Sequence, residues 1–344
     1  MHRRKTEQRI RRTVRGKHCR SLLAVLLFLG WLVYICARLP SPPAGEAAGQ
    51  TAGQYAEPSA GQYAEQTAGR VAEQTERQRT AVSEKHDIAW PVKNGTVNLT
   101  ETEFLTGVLA ACIPGHYSTE TLKAQAVILR SLFKADGEAT DFSYLDKTDR
   151  KKLWQDKTKE YEDKFTDAVQ TTAGIILCYE GQVISPPYFR LSAGKTRDSA
   201  QIWEDKSFSW CKSVECPHNL EAAEYLQKVI LKQKDVLAVF EKEQIPVTEQ
   251  NLRIRLVKDS TGYVMYAECN GQHVEGERFR QMFGLASAHI SLEQEGENLI
   301  FTTRGIGHGV GFDQYAAELL AQEGNDYQKL LDVFFEGVTL EKME

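Results

Sequence analysis

The stretch ETEFLTGVLAACIPGHYSTETLKAQAVILR, residues 101–130, decides the fold of this chain because it predicts two consecutive helices. In its first half, apolar residues recur at the spacing of one helix face: Leu105, Val108, Leu109 and Cys112. Pro114 ends this helix, and Ser118 can cap the next one. The second helix has a buried face formed by Leu122, Ala126, Leu129 and Phe133. We therefore expect a pair of helices at the start of the folded region.

Further along, the pattern changes to that of β-hairpins. The segment Ile175–Tyr179 and a strand from Val183 onward flank a turn at residues 180–181. Residues 252–266 alternate around Gly262, and the Asn-Gly pair at 270–271 is a strong hairpin signal. Two more helices follow: one starts at Asp313, and the other carries Tyr327, Leu330, Leu331 and Phe334. Helices at both ends and hairpins in the middle indicate an α+β domain over residues 95–344.

The N-terminal region predicts export and membrane attachment. Residues 1–20 are rich in Lys and Arg and form a basic tail, and residues 22–37 are apolar throughout. Because a basic flank stays in the cytoplasm, residues 21–38 are interpreted as a transmembrane anchor with the C-terminal domain outside the cell. A cleaved signal peptide is the alternative, and it also predicts export.

Residues 39–94 are interpreted as a flexible linker. They contain a degenerate eight-residue repeat, AGQYAEPS, AGQYAEQT and AGRVAEQT, at residues 52–75. A period of eight is too short for a solenoid unit, and small polar residues cannot build a core. The segment therefore acts as a tether between the anchor and the folded domain.

Charge and cysteine content restrict the partners and cofactors. The net charge of −5 provides no basic surface suited to nucleic acid, so that partner class is set aside. Of the seven cysteines, the five from Cys112 to Cys269 fall in the exported part, where disulfides persist. Because that number is odd, at least one of them has no partner within a single chain.

Two segments resemble the stage II sporulation protein D (SpoIID/LytB) family. The first, EFLTGVLAACIP with ETLKAQAVILR, is similar to the family's YL-GVVA-EMP and EALKAQAVAART. The second, RGIGHGVGFDQYAA at residues 304–317, is similar to GRGWGHGVGMSQYGA. The resemblance covers residues 100–340 and implies a wall-remodelling protein of the sporulation type. Characterised family members resemble lytic transglycosylases that cleave the MurNAc–GlcNAc bond of denuded glycan strands and cooperate with an amidase during engulfment.

The resemblance places Cys112 at the position of the family's catalytic glutamate. A carboxylic acid protonates the leaving group and then removes a proton as carboxylate. A thiol has a pKa near 8.5, against about 4.3 for Glu, and is the weaker acid by about four units. Three interpretations stay open for Cys112: a buried apolar residue, an altered active site with a substitute acid, or a thiol nucleophile. Glu120 is the nearest substitute acid, although a glutamate at the start of a helix also meets the helix dipole favourably.

The resemblance also implies substrate-binding residues. In the glycine-rich loop and the helix after it they are His308, Gly309, Gln314 and Tyr315. Lys123 and Gln125, on the second helix, either line the same groove or face solvent. A tight turn with a purely structural role is the alternative for the loop, because glycine also permits positive φ.

A metal site is a weaker hypothesis. Cys211, Cys216 and His218 invite a zinc interpretation, and some relatives bind zinc with a histidine just before the Ser-Gly-Gly motif. Phe189 stands at that position here, so no cofactor is expected, and a disulfide or free thiols stay open. Two functions remain: an active lytic transglycosylase, or a pseudoenzyme that binds the wall and recruits or enhances an amidase.

Overall fold

The computed structural model describes residues 88–92, 95–136, 142–202 and 208–343. The predicted basic tail, the anchor at residues 21–38 and most of the linker lie outside these ranges. Among the described residues, no helix is both long enough and apolar enough to cross a bilayer. The mixture of helices and strands confirms the predicted α+β class.

The first part of the chain forms a helical layer. Its elements are β1 (Ile88–Val92), β2 (Gly95–Leu99), α1 (Glu101–Cys112), α2 (Thr119–Asp136), α3 (Lys147–Trp154) and α4 (Thr158–Thr171). Strand β1 lies within the predicted linker, and it is held to the fold because Trp90 stacks on Phe104 with ring centroids 4.5 Å apart. Thr100 caps α1 by accepting from the Glu103 amide at 3.3 Å. The guanidinium of Arg130 binds carbonyls at the end of α4, which ties α2 to α4.

Three short strands follow the helical layer. They are β3 (Ile175–Tyr179), β4 (Gln182–Val183) and β5 (Tyr188–Phe189). Strands β3 and β4 form the predicted hairpin, and Glu180 and Gly181 have φ of 50° and 75°.

Residues 226–304 form a separate unit, called here the β unit. It contains β6 (Leu226–Lys232), α5 (Gln233–Lys242), β7 (Ile254–Lys258), β8 (Val264–Cys269), β9 (Gln272–Glu275), α6 (Gly276–Met282), β10 (Ile290–Glu295) and β11 (Asn298–Arg304). Its two antiparallel sheets have the orders β10-β11-β6 and β7-β8-β9. The unit has its own apolar core, in which Phe279, Phe283 and Phe301 pack together. Leu226 and Arg304, at its two ends, are paired residues of neighbouring strands.

The end of the chain returns to the helical layer. It forms β12 (Phe312–Asp313), α7 (Gln314–Gln322), α8 (Tyr327–Phe334) and β13 (Thr339–Lys342). Strand β12 pairs in parallel with β5, and β13 pairs with β3. The last residues therefore complete a sheet that begins near the middle of the sequence.

A buried ion pair joins the β unit to the rest. Arg197 Nε lies 2.6 Å from the carboxylate of Asp259, and the side chains are only 6 % and 1 % exposed. Removing one member of a buried pair leaves an uncompensated charge, which costs about 3–5 kcal/mol.

The structure differs from the sequence-based expectation in its middle part. The expected hairpins are present, including β8–β9 around Asn270 and Gly271 with φ of 49° and 81°. Two helices, α5 and α6, also lie in this region, whereas the sequence predicted only hairpins there. Both are short, and α6 begins where Gly276 packs so closely on β8 that a Cβ would come within 1.9 Å of the Val264 carbonyl oxygen.

Candidate functional site

The position that the family resemblance assigns to the catalytic acid is buried. Cys112 is the last residue of α1 and is 0 % exposed. Its thiol donates to the Leu109 carbonyl at 3.4 Å, within the last turn of the helix. Cys112 therefore packs in the core at the point where the chain leaves α1 towards Pro114.

Two buried glutamines connect this point to α2 and α7. The Nε2 group of Gln314 donates to the Cys112 carbonyl and to Gln125 Oε1, both at 3.1 Å. Both glutamine side chains are 0 % exposed. Within the described part of the chain, Gln125 Nε2 and Gln314 Oε1 have no hydrogen-bond partner. A buried polar atom without a hydrogen-bond partner destabilises the folded state by about 1–3 kcal/mol. The two glutamines are therefore unusual residues for the core.

Glu120 and Lys123 lie at the surface edge of α2 and bind each other. Lys123 Nζ is 2.7 Å from Glu120 Oε1. The second carboxylate oxygen of Glu120 accepts from the Tyr327 amide at 2.9 Å, at the first residue of α8. Glu120 thus satisfies an amide at the N-terminus of a second helix, where a negative charge is favourable.

The glycine-rich loop, residues 305–311, is packed against protein on both sides. All four of its glycines have φ between 74° and 107°. A Cβ on Gly309 would lie 2.5 Å from the Tyr263 ring, and one on Gly311 would lie 2.1 Å from the Pro187 carbonyl oxygen. The glycines therefore allow the close approach of the protein's own backbone and side chains.

His308 is fixed inside this loop. Its Nδ1 accepts from the Val310 amide at 3.0 Å, and its Nε2 lies 2.9 Å from the Tyr188 carbonyl, to which it donates. The side chain is fully buried, and burial lowers the pKa of His308 to about 3. His308 is therefore neutral and joins the loop to β5 instead of facing solvent.

Asp313 organises the start of α7. One carboxylate oxygen accepts from the amides of Tyr315 and Ala316, both at 3.1 Å. The other accepts from the Ser192 amide at 2.9 Å and from Asn219 Nδ2 at 2.5 Å. Burial raises the pKa of Asp313 to about 6, against the opposing effect of these donors. The side chain of Tyr315, in the first turn of α7, is partly exposed.

The three residues of the zinc hypothesis do not form a metal site. In the described ranges, no group of three or more His, Cys, Asp or Glu side chains is arranged to hold a metal ion. Cys211 and Cys216 are buried free thiols, and burial raises the pKa of Cys211 to about 12. His218, on the short helix Pro217–Glu221, is exposed and lies 3.3 Å from Glu221. None of the five described cysteines forms a disulfide.

A polar group, of which the sequence analysis singled out only Tyr315, lies next to these elements. Arg190, just after β5, pairs with Glu224 at 3.1 Å, and its carbonyl accepts from the Tyr315 amide at 3.0 Å. His116, in the loop between α1 and α2, is exposed and interacts electrostatically with both members of this pair. We call His116, Arg190, Glu224 and Tyr315 the His116 cluster. Arg190 and Glu224 carry no sequence signal because they lie in irregular segments without periodicity.

The comparison with known families agrees with the first of the two motifs. The family model of the stage II sporulation protein, SpoIID, matches residues 93–179. This segment contains α1 and α2, and with them Cys112, Glu120, Lys123 and Gln125. Residues 93–179 are therefore similar to the SpoIID family.

Individual relatives extend the match beyond that segment. The chain is 28 % identical over 275 residues to stage II sporulation protein D of Bacillus subtilis (strain 168), covering 72 % of this chain and 76 % of the relative. It is 27 % identical over 273 residues to the protein of the same name from Bacillus amyloliquefaciens, with the same two shares, 72 % and 76 %. It is 23 % identical over 290 residues to a protein named amidase enhancer from Bacillus subtilis (strain 168), covering 69 % of this chain and 40 % of that protein. These matches confirm the predicted resemblance to the SpoIID family.

Proposed function

We propose that this protein takes part in remodelling the cell wall during sporulation, where it binds peptidoglycan glycan strands. Its lytic transglycosylase activity is lost or strongly reduced. The matches to stage II sporulation protein D support the biological setting. The wall is the expected location, because the N-terminal sequence predicts an anchored protein with its domain outside the cell.

One observation carries the loss of activity: the residue at the acid position is a buried cysteine. The thiol of Cys112 is engaged with Leu109 and is 0 % exposed. It has no carboxylate to protonate a glycosidic oxygen, and no surface from which to reach one. General acid–base catalysis requires a group within hydrogen-bond distance of the reacting atom.

An active lytic transglycosylase with a substitute acid is the alternative. Glu120 was the candidate, but its two oxygens are held by Lys123 and by the Tyr327 amide. Both oxygens are therefore engaged with protein groups, whereas a general acid must lie within hydrogen-bond distance of the reacting oxygen. The geometry therefore favours a protein that binds strands over one that cuts them.

A wall amidase is the proposed protein partner. The similarity to a protein named amidase enhancer supports this part of the proposal. A module that binds glycan strands without cutting them would position such an enzyme on its substrate. No metal or other cofactor is needed for that role.

The decisive experiment incubates the full-length, detergent-solubilised protein with denuded glycan strands. The proposal predicts that the strands pellet with the protein and that 1,6-anhydro products stay at the level of a protein-free control. A known lytic transglycosylase serves as the positive control for product detection. Robust formation of 1,6-anhydro ends by the wild-type protein would establish the alternative function.

A further inference from the structure

The His116 cluster lies where three parts of the helical layer meet. His116 belongs to the loop that follows Cys112, Arg190 leaves β5, and Tyr315 is in the first turn of α7. The Tyr315 amide donates to the Arg190 carbonyl, so the backbone of α7 is tied to the segment that carries the arginine. The backbone of Arg190 is therefore anchored to α7, and Tyr315 lies on that helix, which positions a side chain more accurately than a loop alone.

Charges of both signs surround His116. Arg190 and Lys164 lower its pKa, after a larger effect from partial burial, while Glu318 and Glu224 raise it. Glu318 is committed to the start of α2, where it accepts from the Ser118 amide at 2.7 Å and from the Thr121 hydroxyl at 2.8 Å. Lys164 is likewise engaged, since it donates to the Tyr117 carbonyl at 2.8 Å.

The Arg190–Glu224 ion pair differs from the contacts of Glu318 and Lys164 because both of its side chains are partly exposed to solvent. Their side chains are 13 % and 29 % exposed, so the pair reaches the surface beside the exposed His116 ring. A guanidinium and a carboxylate side by side offer donors and acceptors within a few ångströms. This arrangement, with no excess of either charge, suits a neutral ligand that has both kinds of group.

Sugars with hydroxyl and acetamido substituents are such ligands. Each hydroxyl both donates and accepts, and the acetamido group has one N–H and one C=O. The ring of Tyr315 adds an apolar face with a polar end. Three of the other residues assigned to substrate binding from the sequence are less suitable. Gln125, Gln314 and His308 are each 0 % exposed and cannot touch a strand in this structure.

We propose that the His116 cluster is the surface that contacts the glycan, with Arg190 and Glu224 binding the hydroxyl and acetamido groups of an uncharged GlcNAc unit of the strand. This proposal rests on the proposed glycan-strand binding. It places the ligand over the loop after α1, next to the position that the family uses for its acid. A strand bound there needs no reaction with Cys112.

The experiment measures the affinity of the full-length protein for denuded glycan strands by co-sedimentation, together with the melting temperature of each variant. Arg190→Gln and Glu224→Gln are each expected to weaken binding at least tenfold while the protein stays folded. The matched control is Arg278→Gln, because Arg278 forms an ion pair with Glu243 at the same 3.1 Å distance in the β unit. Its affinity should equal that of the wild type.

Two further variants keep the test decisive if the ion pair proves necessary for folding. His116→Ala and Tyr315→Phe change partly or fully exposed groups, and each is expected to weaken binding at least threefold. Wild-type affinity in all folded variants of the cluster would overturn this inference and leave the proposed function intact. A wild-type protein that does not sediment with strands would overturn the proposed function itself.

Discussion

The side-chain amide of Gln314 donates to the carbonyl of Cys112 at 3.1 Å, although the two residues are 202 positions apart in the sequence. This contact joins the end of α1 to the start of α7, so that the first and last parts of the domain meet at the family's acid position. The hydrogen bond thus holds α7 against the end of α1 at Cys112.

The first prediction concerns Cys112→Glu. The substitution places a carboxylic acid at the end of α1, and general acid catalysis typically contributes 10²- to 10⁴-fold. We expect 1,6-anhydro products to become detectable above the wild-type level. Because Cys112 is 0 % exposed, we also expect a stability loss of about 1–3 kcal/mol from burying the polar group. Cys112→Gln is the control, because glutamine has a volume similar to that of glutamate but no acid group. This variant should lose stability without gaining activity. A folded but inactive Cys112→Glu would show that the surroundings have also diverged.

The second prediction concerns the glutamine pair. Gln314→Leu leaves the Cys112 carbonyl and Gln125 Oε1 without their donor, which costs about 1–3 kcal/mol. Adding Gln125→Leu removes the second amide as well, and apolar groups of similar shape then fill the space. We expect urea unfolding to show that the double variant is more stable than the sum of the single effects predicts. Strict additivity would mean that the two amides do not interact.

The third prediction is a pH dependence that originates from His308. Its pKa is about 3 in the folded state, against about 6.5 in the unfolded chain. Between these values the unfolded chain binds a proton that the folded protein does not, so stability falls as pH decreases from about 6.5. The slope contributed by one such histidine is about 1.4 kcal/mol per pH unit. His308→Gln should reduce this slope in chemical unfolding measured from pH 7 to pH 4. An unchanged slope would refute the assignment to His308.

The fourth prediction separates the steric cost of a side chain at Gly309 from the backbone cost of its positive φ. Gly309→Ala introduces a Cβ 2.5 Å from the Tyr263 ring at a φ of +83°. Gly296→Ala is the matched control, because that glycine also has positive φ, +60°, but no atom within 4 Å of the added carbon. Both variants incur the backbone penalty of about 1–2 kcal/mol. We expect Gly309→Ala to lose about 1–3 kcal/mol more in thermal unfolding, as overpacking does. Equal losses of stability in the two variants would mean that the loop shifts to accommodate the added methyl group without a further cost.

The fifth prediction tests the orientation of the chain in the membrane. A protease added outside intact cells should degrade residues 95–344 while an epitope placed on the basic N-terminus stays protected. The physical reason is that the basic flank at residues 1–20 resists translocation. Protection of both ends would contradict an anchor with its domain outside.

The elements that could be predicted from the sequence are those with a strong local signal. The apolar spacing from Leu105 to Cys112 predicts α1, and the Asn-Gly pair at 270–271 predicts the β8–β9 hairpin. The helix starting at Asp313 was also expected, and Asp313 does cap α7. By contrast, α3 has mostly exposed charged residues and buries only Arg150 and Trp154, so it has no amphipathic pattern to detect.

The site was harder to predict than the fold, because burial depends on contacts between distant segments. His308 and Gln314 lie in a motif that marks a functional region, but the motif does not tell whether their side chains point to solvent or to β5 and α2. Arg190 and Glu224 are brought together only by the path of the chain between β5 and β6. No spacing rule connects two residues in irregular segments.

The pairing of Leu226 with Arg304 has a consequence for how this molecule can change. Paired residues of adjacent antiparallel strands lie about 5 Å apart, so the chain enters and leaves the β unit through one narrow gap. A short turn could bridge that gap, and the unit could be exchanged or deleted without moving α1, α2 or α7. The cost would fall on the glycine-rich loop, which would lose Tyr263 as a neighbour, and on Arg197, which would lose its ion-pair partner Asp259. The β unit is therefore a replaceable insert whose removal would expose the back of the loop to water.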